Sequence, residues 1–281
     1  MQSRYVASHK KIGAFTRLMT TKSETEALLN FALRLSEAAG AAILPHFRQS
    51  ALVENKRSGD WDPVTEGDKA AERAIRQLIE QTHPTHGIIG EEYGEKKGTS
   101  PYTWILDPID GTRAFVIGLP TWATLIGLYR DGKPLLGLMH QPFNDELFYG
   151  GPDGAFLKNK LGIQQIHCAT PKPLGLARAG TTSPHHYKNP EQFENLRTAV
   201  QLMRYGGDAY FFSLVAAGHL DLALDAGLQI YDIAALIPII RGAGGIVETW
   251  DGTDECMGGN ILAASCQALF DETARMLNGA P

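Results

Sequence analysis

Cysteine is the first scarcity. Cys168, Cys256 and Cys266 are the only three. They are an odd number with no C-x-x-C spacing, so neither a disulfide framework nor a zinc site is expected, and a reducing, cytoplasmic compartment fits best. A basic stripe is missing too. The net charge is −5, which argues against nucleic acid as a general partner. No apolar run reaches membrane-spanning length, so no membrane partner is expected. There is no internal repeat and no low-complexity segment. The histidines include His83-x-x-His86 and His185-His186, but neither pair has a cysteine or a second pair beside it, and both are read as loop residues. What the chain does have is 43% hydrophobic residues over 281 positions, enough for a sizeable core in one large domain or two moderate ones.

The chain is organised around residues 104–115, Trp-Ile-Leu-Asp-Pro-Ile-Asp-Gly-Thr-Arg-Ala-Phe. Residues 104–106 read as a buried strand. Pro108 has a fixed φ and no N–H to donate, so it is expected to end that strand. Gly111 permits a backbone shape closed to other residues. Asp107 and Asp110 are thus projected from a strand end, followed by main-chain N–H groups and a hydroxyl at Gly111-Thr112. Carboxylates hold hard cations such as Mg²⁺, and free N–H groups in a turn or at a helix start hold phosphate. One short turn therefore offers both halves of a metal-assisted phosphate site. Asp-Pro or Asp-Gly alone would be ordinary turn chemistry.

Residues 1–22 carry five basic residues and no acid and are read as an N-terminal extension rather than a transit peptide, being short and poor in serine. Ser23-x-x-Glu26 is a capping box opening a helix that Pro45 kinks or ends. A short strand is expected over 52–56, a turn at Gly59-Asp60, a helix over 68–81, and a strand over 87–90. A charged, glycine-rich loop over 94–100 is expected to move with metal binding. Two apolar runs around Asp131-Gly132 read as a β-hairpin, and 146–149 and 155–158 extend it as a meander. The proline-bearing stretch 169–173 is the best boundary, dividing an α+β metal- and phosphate-binding part (23–168) from an α/β substrate-side part (169–281). Beyond it, strands over 176–179, 220–224, 245–248 and 260–264 alternate with helices over 190–203, 208–217, 231–241 and 267–277, the pattern of an α/β layered domain.

Three further acids stand where a metal site would want them. Glu91 follows the strand before the central one, Asp68 begins the second helix, and Asp232 begins an apolar helix. Each also has an ordinary reading, as a helix N-terminal acid or a solvated strand end. Together, Gly90-Glu91-Glu92, residues 107–112, and Tyr231-Asp232 ahead of Gly244-Gly245 resemble in order and spacing the inositol monophosphatase superfamily of Mg²⁺-dependent, lithium-sensitive phosphatases. The resemblance covers residues 23–277. Tyrosine stands at 231 where tryptophan is usual, which leaves the carboxylate intact.

The resemblance implies a layered α-β-α-β-α sandwich, an active site in the cleft between its two parts, and a homodimer. Glu91, Asp107, Asp110, Asp232 and the Ile109 carbonyl would bind roughly two to three Mg²⁺ ions, with Asp68 helping to hold the most labile one and Li⁺ inhibiting. Thr112 would orient the attacking water, assisted by Glu91 or Asp68, and the N–H groups of Gly111 and Thr112 would hold the phosphate. No cysteine, serine or histidine nucleophile is placed by these motifs, so direct attack by water is the simplest mechanism. Elementary electrostatics agrees. Two like charges ~4 Å apart repel by about 4 kcal/mol at an effective dielectric near 20, so such a cluster either takes up metal or raises its pKa values.

The resemblance implies a small phosphate ester as substrate. Residues 111–115, Gly-Thr-Arg-Ala-Phe, followed by Gly-Leu-Pro-Thr-Trp over 118–122, look more like the histidinol-phosphatase branch than the inositol branch, where Gly-Thr-Thr-Asn-Phe is typical. Asp208, in Gly206-Gly207-Asp208-Ala209-Tyr210, adds a negative charge where the inositol enzymes usually have a small or hydroxylated residue. Histidinol phosphate carries an ammonium group, and a charge-assisted bond to it is worth roughly 1.5–3 kcal/mol. Asp208 also sits where a helix N-cap should be. Asp225 matches an acid that faces the substrate in several branches, and Arg113 contacts the substrate or pairs with an acid. The expectation is a histidinol-phosphate phosphatase of histidine biosynthesis. The alternatives are an inositol monophosphatase or broad-specificity sugar or nucleotide phosphatase, and, from another class, a non-catalytic metal- or phosphate-binding regulator.

Overall fold

The computed structural model describes residues 22–49, 54–55, 63–252 and 257–279. The expected turn at Gly59-Asp60, the extension up to residue 21, and most of the strand expected over 52–56 lie outside them. The chain opens with helix α1 (Lys22–Ile43), strands β1 (Glu54–Asn55) and β2 (Pro63–Val64), helix α2 (Glu66–Thr82), and strands β3 (Gly87–Gly90), β4 (Gly94–Lys96) and β5 (Tyr102–Asp110). Helix α3 (Thr112–Val116) leads into a meander of β6 (Ala123–Arg130), β7 (Lys133–Gln141), β8 (Glu146–Gly151), β9 (Gly154–Asn159) and β10 (Gly162–Ile166). The second half runs β11 (Arg178–Thr181), α4 (Pro190–Ala199), β12 (Leu202–Tyr205), α5 (Asp208–Ala216), β13 (Leu222–Leu228), α6 (Ile230–Ile233), α7 (Leu236–Gly242), β14 (Ile246–Thr249), β15 (Gly259–Ala264) and α8 (Gln267–Leu277).

These elements make five layers. An eight-stranded sheet, ordered β10-β9-β8-β7-β6-β5-β3-β4, carries α1 and α2 on one face. Its other face packs on α5 and α7, which also cover a five-stranded sheet ordered β12-β11-β13-β15-β14. Helices α4 and α8 close the outside. Three apolar clusters fill the interfaces: Leu35, Ile75 and Trp104 under α1 and α2, Phe148, Phe212 and Ile239 between the sheets, and Phe193, Leu262 and Phe270 on the outer face. This is the expected α-β-α-β-α sandwich.

Several local expectations are corrected. Strand β5 does not stop at Pro108. Its pairing with β6 is regular to Asp107↔Leu125 and resumes at Asp110↔Ala123, so one extra residue forms a bulge there. A proline fits a bulge because no ladder donor is needed, and the Pro108 carbonyl accepts from Thr124 Oγ1 at 2.8 Å. Residues 94–96 are not loop but an edge strand antiparallel to β3. Helix α4 ends at Ala199, and Gln201 and Leu202 donate to the Ala177 carbonyl to start the unexpected strand β12. The helix expected over 231–241 is broken into α6 and α7, because Pro238 has no N–H for the Ala234 carbonyl. Ser23 lies inside α1, whose described span already includes Lys22, so it is not the cap. Residues 22–46 are long and apolar enough by composition to cross a membrane, which the sequence reading had not found. Here Leu28, Phe31, Leu35, Ala39 and Ile43 of that segment are buried in the core. His86 is also more than a loop residue: it is buried, accepts from Trp104 Nε1 at 3.0 Å, and stacks on His83.

One packing feature bears on the site. Gly127, Gly137 and Gly150 stand side by side on β6, β7 and β8. A Cβ on Gly137 would lie 1.8 Å from the Ala235 carbonyl oxygen, and one on Gly150 would lie 2.6 Å from Ile239 Cα. The three bare positions form a channel in which the α6–α7 backbone rests, and α6 carries Asp232. Gly137→Ala should therefore destabilise the chain by about 3 kcal/mol, the upper part of the overpacking range, measured by urea unfolding. A loss below about 1 kcal/mol would mean that α6–α7 retreats freely from the sheet.

Candidate active site

Two strands aim the first acids. Strands β3 and β5 run parallel, in register from Gly87↔Thr103 to Gly90↔Leu106, so Glu91 and Asp107 emerge together at one end of the sheet. The bulge then carries the chain so that Asp110 also faces inward. Oxygens of Asp107, Asp110 and Asp232 lie within 4.8 Å of one another. Glu91 and Asp232 both stand within hydrogen-bonding reach of the Asp107 carboxyl.

Helix starts aim two more. Asp68 and Asp232 are each the third residue of a helix and each closes a capping box. Asp68 Oδ2 accepts from the Thr65 N–H at 2.8 Å and the Thr65 hydroxyl at 2.6 Å. Asp232 Oδ2 accepts from the Gln229 N–H at 2.6 Å. The ordinary reading of these acids is thus correct for one oxygen of each. Locking that oxygen fixes the rotamer and leaves the other to the cluster.

Burial is the first cause of the titration shifts. It pushes Asp68 and Asp232 up to about 7, with neighbouring carboxylates adding to the rise. Asp107 and Asp110 are pushed well above the usual carboxylate range, also chiefly by burial, then by Glu91 for Asp107 and Asp208 for Asp110. Asp68 Oδ1 and Asp107 Oδ1 are buried and have no hydrogen-bond partner. Buried polar atoms are ordinarily paired. Two orphan carboxylate oxygens beside a cluster of further carboxylates are the donor set that a hard cation takes.

The turn after β5 supplies the remaining groups. Gly111 is left-handed, with φ of 78°, and begins α3. Thr112 Oγ1 donates to the Ile109 carbonyl at 3.0 Å. A Cβ at Gly111 would lie 2.9 Å from Asp208 Oδ2, so Asp208 stands directly against this turn. Asp208 is not the N-cap of α5. That place is taken by Gly207, and Asp208 is the first helical residue, at a strained φ of 44°. The helix N-terminus is satisfied from across the cleft instead: the Ala209 N–H donates to Asp110 Oδ2 at 2.7 Å. Burial raises the Asp208 carboxyl, and Thr182, Arg113 and His186 draw it back. Asp225 is buried behind it, accepting from Thr181 Oγ1, the Thr182 N–H and Thr182 Oγ1, each at 2.8 Å, yet burial still lifts it to about 7.

The expected acids and the turn after β5 therefore stand close together, with Arg113 near Asp208. Thr181, Thr182, His186 and Ala209 were not anticipated, and their polar roles carry no sequence pattern. Glu72 was also missed, although a signal existed: Asp68, Glu72, Ile75 and Ile79 occupy one stripe of α2, and all four are buried.

Residues 24–279 match the model of the inositol monophosphatase family. The bifunctional phosphatase IMPL2, chloroplastic, of Arabidopsis thaliana is 39% identical over 222 residues, 78% of this chain and 63% of that protein, so this chain spans less than two thirds of that relative. The histidinol-phosphatase of Chlorobaculum parvum is 34% identical over 245 residues, 86% of this chain and 93% of that one. Among solved structures, an inositol monophosphatase from Zymomonas mobilis superposes with a TM-score of 0.79 at 34% identity, covering 90% of this chain and 98% of that one.

Proposed function

The chain belongs to the inositol monophosphatase family, and from that premise we propose that this phosphatase hydrolyses L-histidinol phosphate, with Mg²⁺ held by Glu91, Asp107, Asp110, Asp232, Asp68 and the Ile109 carbonyl. The observation that carries the metal reading is the pair of buried, unpartnered oxygens on Asp68 and Asp107. When bound, Mg²⁺ lowers the pKa of water and offsets charge on the phosphoryl oxygens.

The chain's own groups do the rest. The Thr112 proton is committed to the Ile109 carbonyl, so its oxygen accepts from the attacking water and turns the water's lone pair towards phosphorus. Glu91 takes the proton that this water gives up. The N–H groups of Gly111 and Thr112 receive the phosphate. Water attacks phosphorus, the ester P–O bond breaks, and the departing alkoxide takes a proton from solvent water, the hydroxide so formed being neutralised by the proton that Glu91 gives back.

The substrate reading rests on Asp208, buried against Gly111, where its charge meets the ammonium group of an amino-alcohol phosphate. Asp225 backs it with a second carboxyl. Arg113 favours a second reading, a neutral polyol phosphate such as an inositol phosphate, because it already supplies positive charge beside Asp208. The similarity to both a histidinol-phosphatase and an inositol monophosphatase fits either.

The deciding experiment compares phosphate release from L-histidinol phosphate, inositol 1-phosphate and 3′-phosphoadenosine 5′-phosphate in Mg²⁺. Asp208→Ala should lower kcat/KM for histidinol phosphate by roughly tenfold to a hundredfold, the worth of one charge-assisted bond. Inositol phosphate turnover should change by less than about threefold. A flat profile in the parent, or an equal loss on every substrate, would favour the second reading. We propose a homodimer in a reducing, cytoplasmic compartment.

A further inference from the structure

Glu72 is fully buried, yet nothing in the proposed reaction uses it. Its Oε2 accepts from the Glu92 N–H at 2.7 Å and its Oε1 from the Tyr93 N–H at 3.2 Å. Arg76, one helical turn further along α2, donates Nε to Oε1 at 2.7 Å. The same guanidinium donates to the Gly94 carbonyl. One ion pair thus grips Glu92 and Tyr93 in the connection between β3 and β4 and Gly94 at the start of β4, and that connection begins with Glu91. On the other side, the Glu91 N–H donates to the Leu106 carbonyl at 3.2 Å.

The motif glycine has its reason here. A Cβ at Gly90 would lie 2.0 Å from Glu72 Oε1 and 2.9 Å from Arg76 Nη2. Gly90 is bare because the Glu72 carboxylate lies against it. The stripe that carries Glu72 also carries Asp68, whose orphan oxygen belongs to the acid cluster. Helix α2 therefore delivers one acid to the cluster and, one turn later, a second acid that fixes the turn holding Glu91.

We propose that Glu72 is a positioning residue for the metal site: with Arg76 it clamps the 91–94 turn so that the Glu91 carboxylate is held among Asp107 and its neighbours before any cation arrives. The inference rests on the metal reading above. Outer partners of metal ligands are worth roughly 10–100-fold in metal affinity when removed. Glu72→Gln keeps the volume but leaves one oxygen where the clamp needs an acceptor towards two N–H groups and a guanidinium. Gly90→Ala attacks the same contact from the opposite side.

The test is Mn²⁺ and Mg²⁺ binding by calorimetry on the parent, Glu72→Gln and Gly90→Ala, beside amide hydrogen exchange of the metal-free chains. Both variants should bind metal at least about tenfold more weakly. The amides of Glu92 and Tyr93 should exchange at least about tenfold faster, with amides of the five-stranded sheet unchanged. In phosphate release, the Mg²⁺ needed for half-maximal rate should rise about tenfold while KM for the phosphate ester moves less than about twofold. A merely structural role would lower the melting temperature and leave the metal midpoint alone. Folded variants with metal midpoints within about twofold of a parent that binds metal would overturn this inference and leave the metal reading standing. A parent that binds no metal would sink both. Should Glu72→Gln not fold, Gly90→Ala decides by the same readings.

Discussion

Asp110→Asn is expected to abolish phosphate release, by at least about a thousandfold, while leaving the metal-free fold as stable as the parent or more so. The two halves of that expectation have separate causes. Asp110 does two things in the structure: one oxygen accepts from the Ala209 N–H at the start of α5, and its charge stands among those of Asp107, Asp208 and Asp232. Asparagine keeps an acceptor for Ala209, so the link from β5 across the cleft to α5 survives. What it loses is an anion. A metal ligand in this class of site supports several kcal/mol of charge stabilisation, and each 1.36 kcal/mol is tenfold in rate, which sets the loss at three decades or beyond. For the metal-free protein the same change removes a like charge from a crowded set, so repulsion falls. The checks are phosphate release in saturating Mg²⁺ and a thermal midpoint in chelator. Activity within about tenfold of the parent would remove Asp110 from the metal set, whereas a parent that releases no phosphate would revive the reading of this chain as a non-catalytic binder. A large loss of stability would mean that anchoring α5, rather than holding a cation, is its main role.

The parts of this molecule that were readable from the sequence are those where chemistry is local. The turn 107–112 declares itself because carboxylates, glycine and a hydroxyl stand at adjacent positions, and the structure brings every one of them to the cleft. Asp68 and Asp232 were readable for a reason that also made them ambiguous. Capping and metal binding ask for the same residue at the same place, and here each residue does the first with one oxygen and offers the other to the cluster. The two roles are therefore not alternatives but are held by the two oxygens of one carboxyl.

What stayed hidden depended on partners distant in the chain. Pro108 was expected to end the strand, because a missing N–H argues against a ladder position, but the bulge opposite Ala123–Leu125 excuses it. The edge strands β4 and β12 are short and largely exposed, and only their neighbours make them strands. Asp208 as an N-cap was a sound local inference. It failed because Asp110, ninety-nine residues before Ala209, accepts from the Ala209 N–H and satisfies that helix from a distant part of the chain. Glu72 carried a faint signal as an acid in a buried stripe, but its partners at Glu92 and Tyr93 lie twenty residues away or more.

Removing metal should make stability fall as the pH rises, against the usual behaviour of carboxylates. Asp68 and Asp232 sit near 7 in the folded chain rather than at 3.8, chiefly because they are buried. Between those values the folded state binds more protons than the unfolded one, so raising the pH destabilises it. The penalty is absent below about 3.8 and complete above about 7. A carboxyl carried from 3.8 to about 7 costs about 4 kcal/mol to ionise in place, at 1.36 kcal/mol per pH unit. Because neighbouring carboxyls titrate together, their separate shifts do not simply add. Histidines work the other way, His83, His140 and His186 being held below their ordinary value by burial as well. His86 is held down to about 4, first by burial and then by His83, so it adds stability as the pH rises from about 4 to 6.5 whether or not metal is present. The clean quantity is therefore the difference between thermal midpoints with and without saturating Mg²⁺, which cancels His86. That increment should be small at pH 5, where protons already neutralise the cluster, and should grow steeply to pH 8, where only a cation can. In Asp110→Asn it should be much reduced at every pH. An increment that is flat from pH 5 to 8 in the parent would mean that the cluster does not compete between protons and metal, and would remove the electrostatic argument on which the site assignment stands.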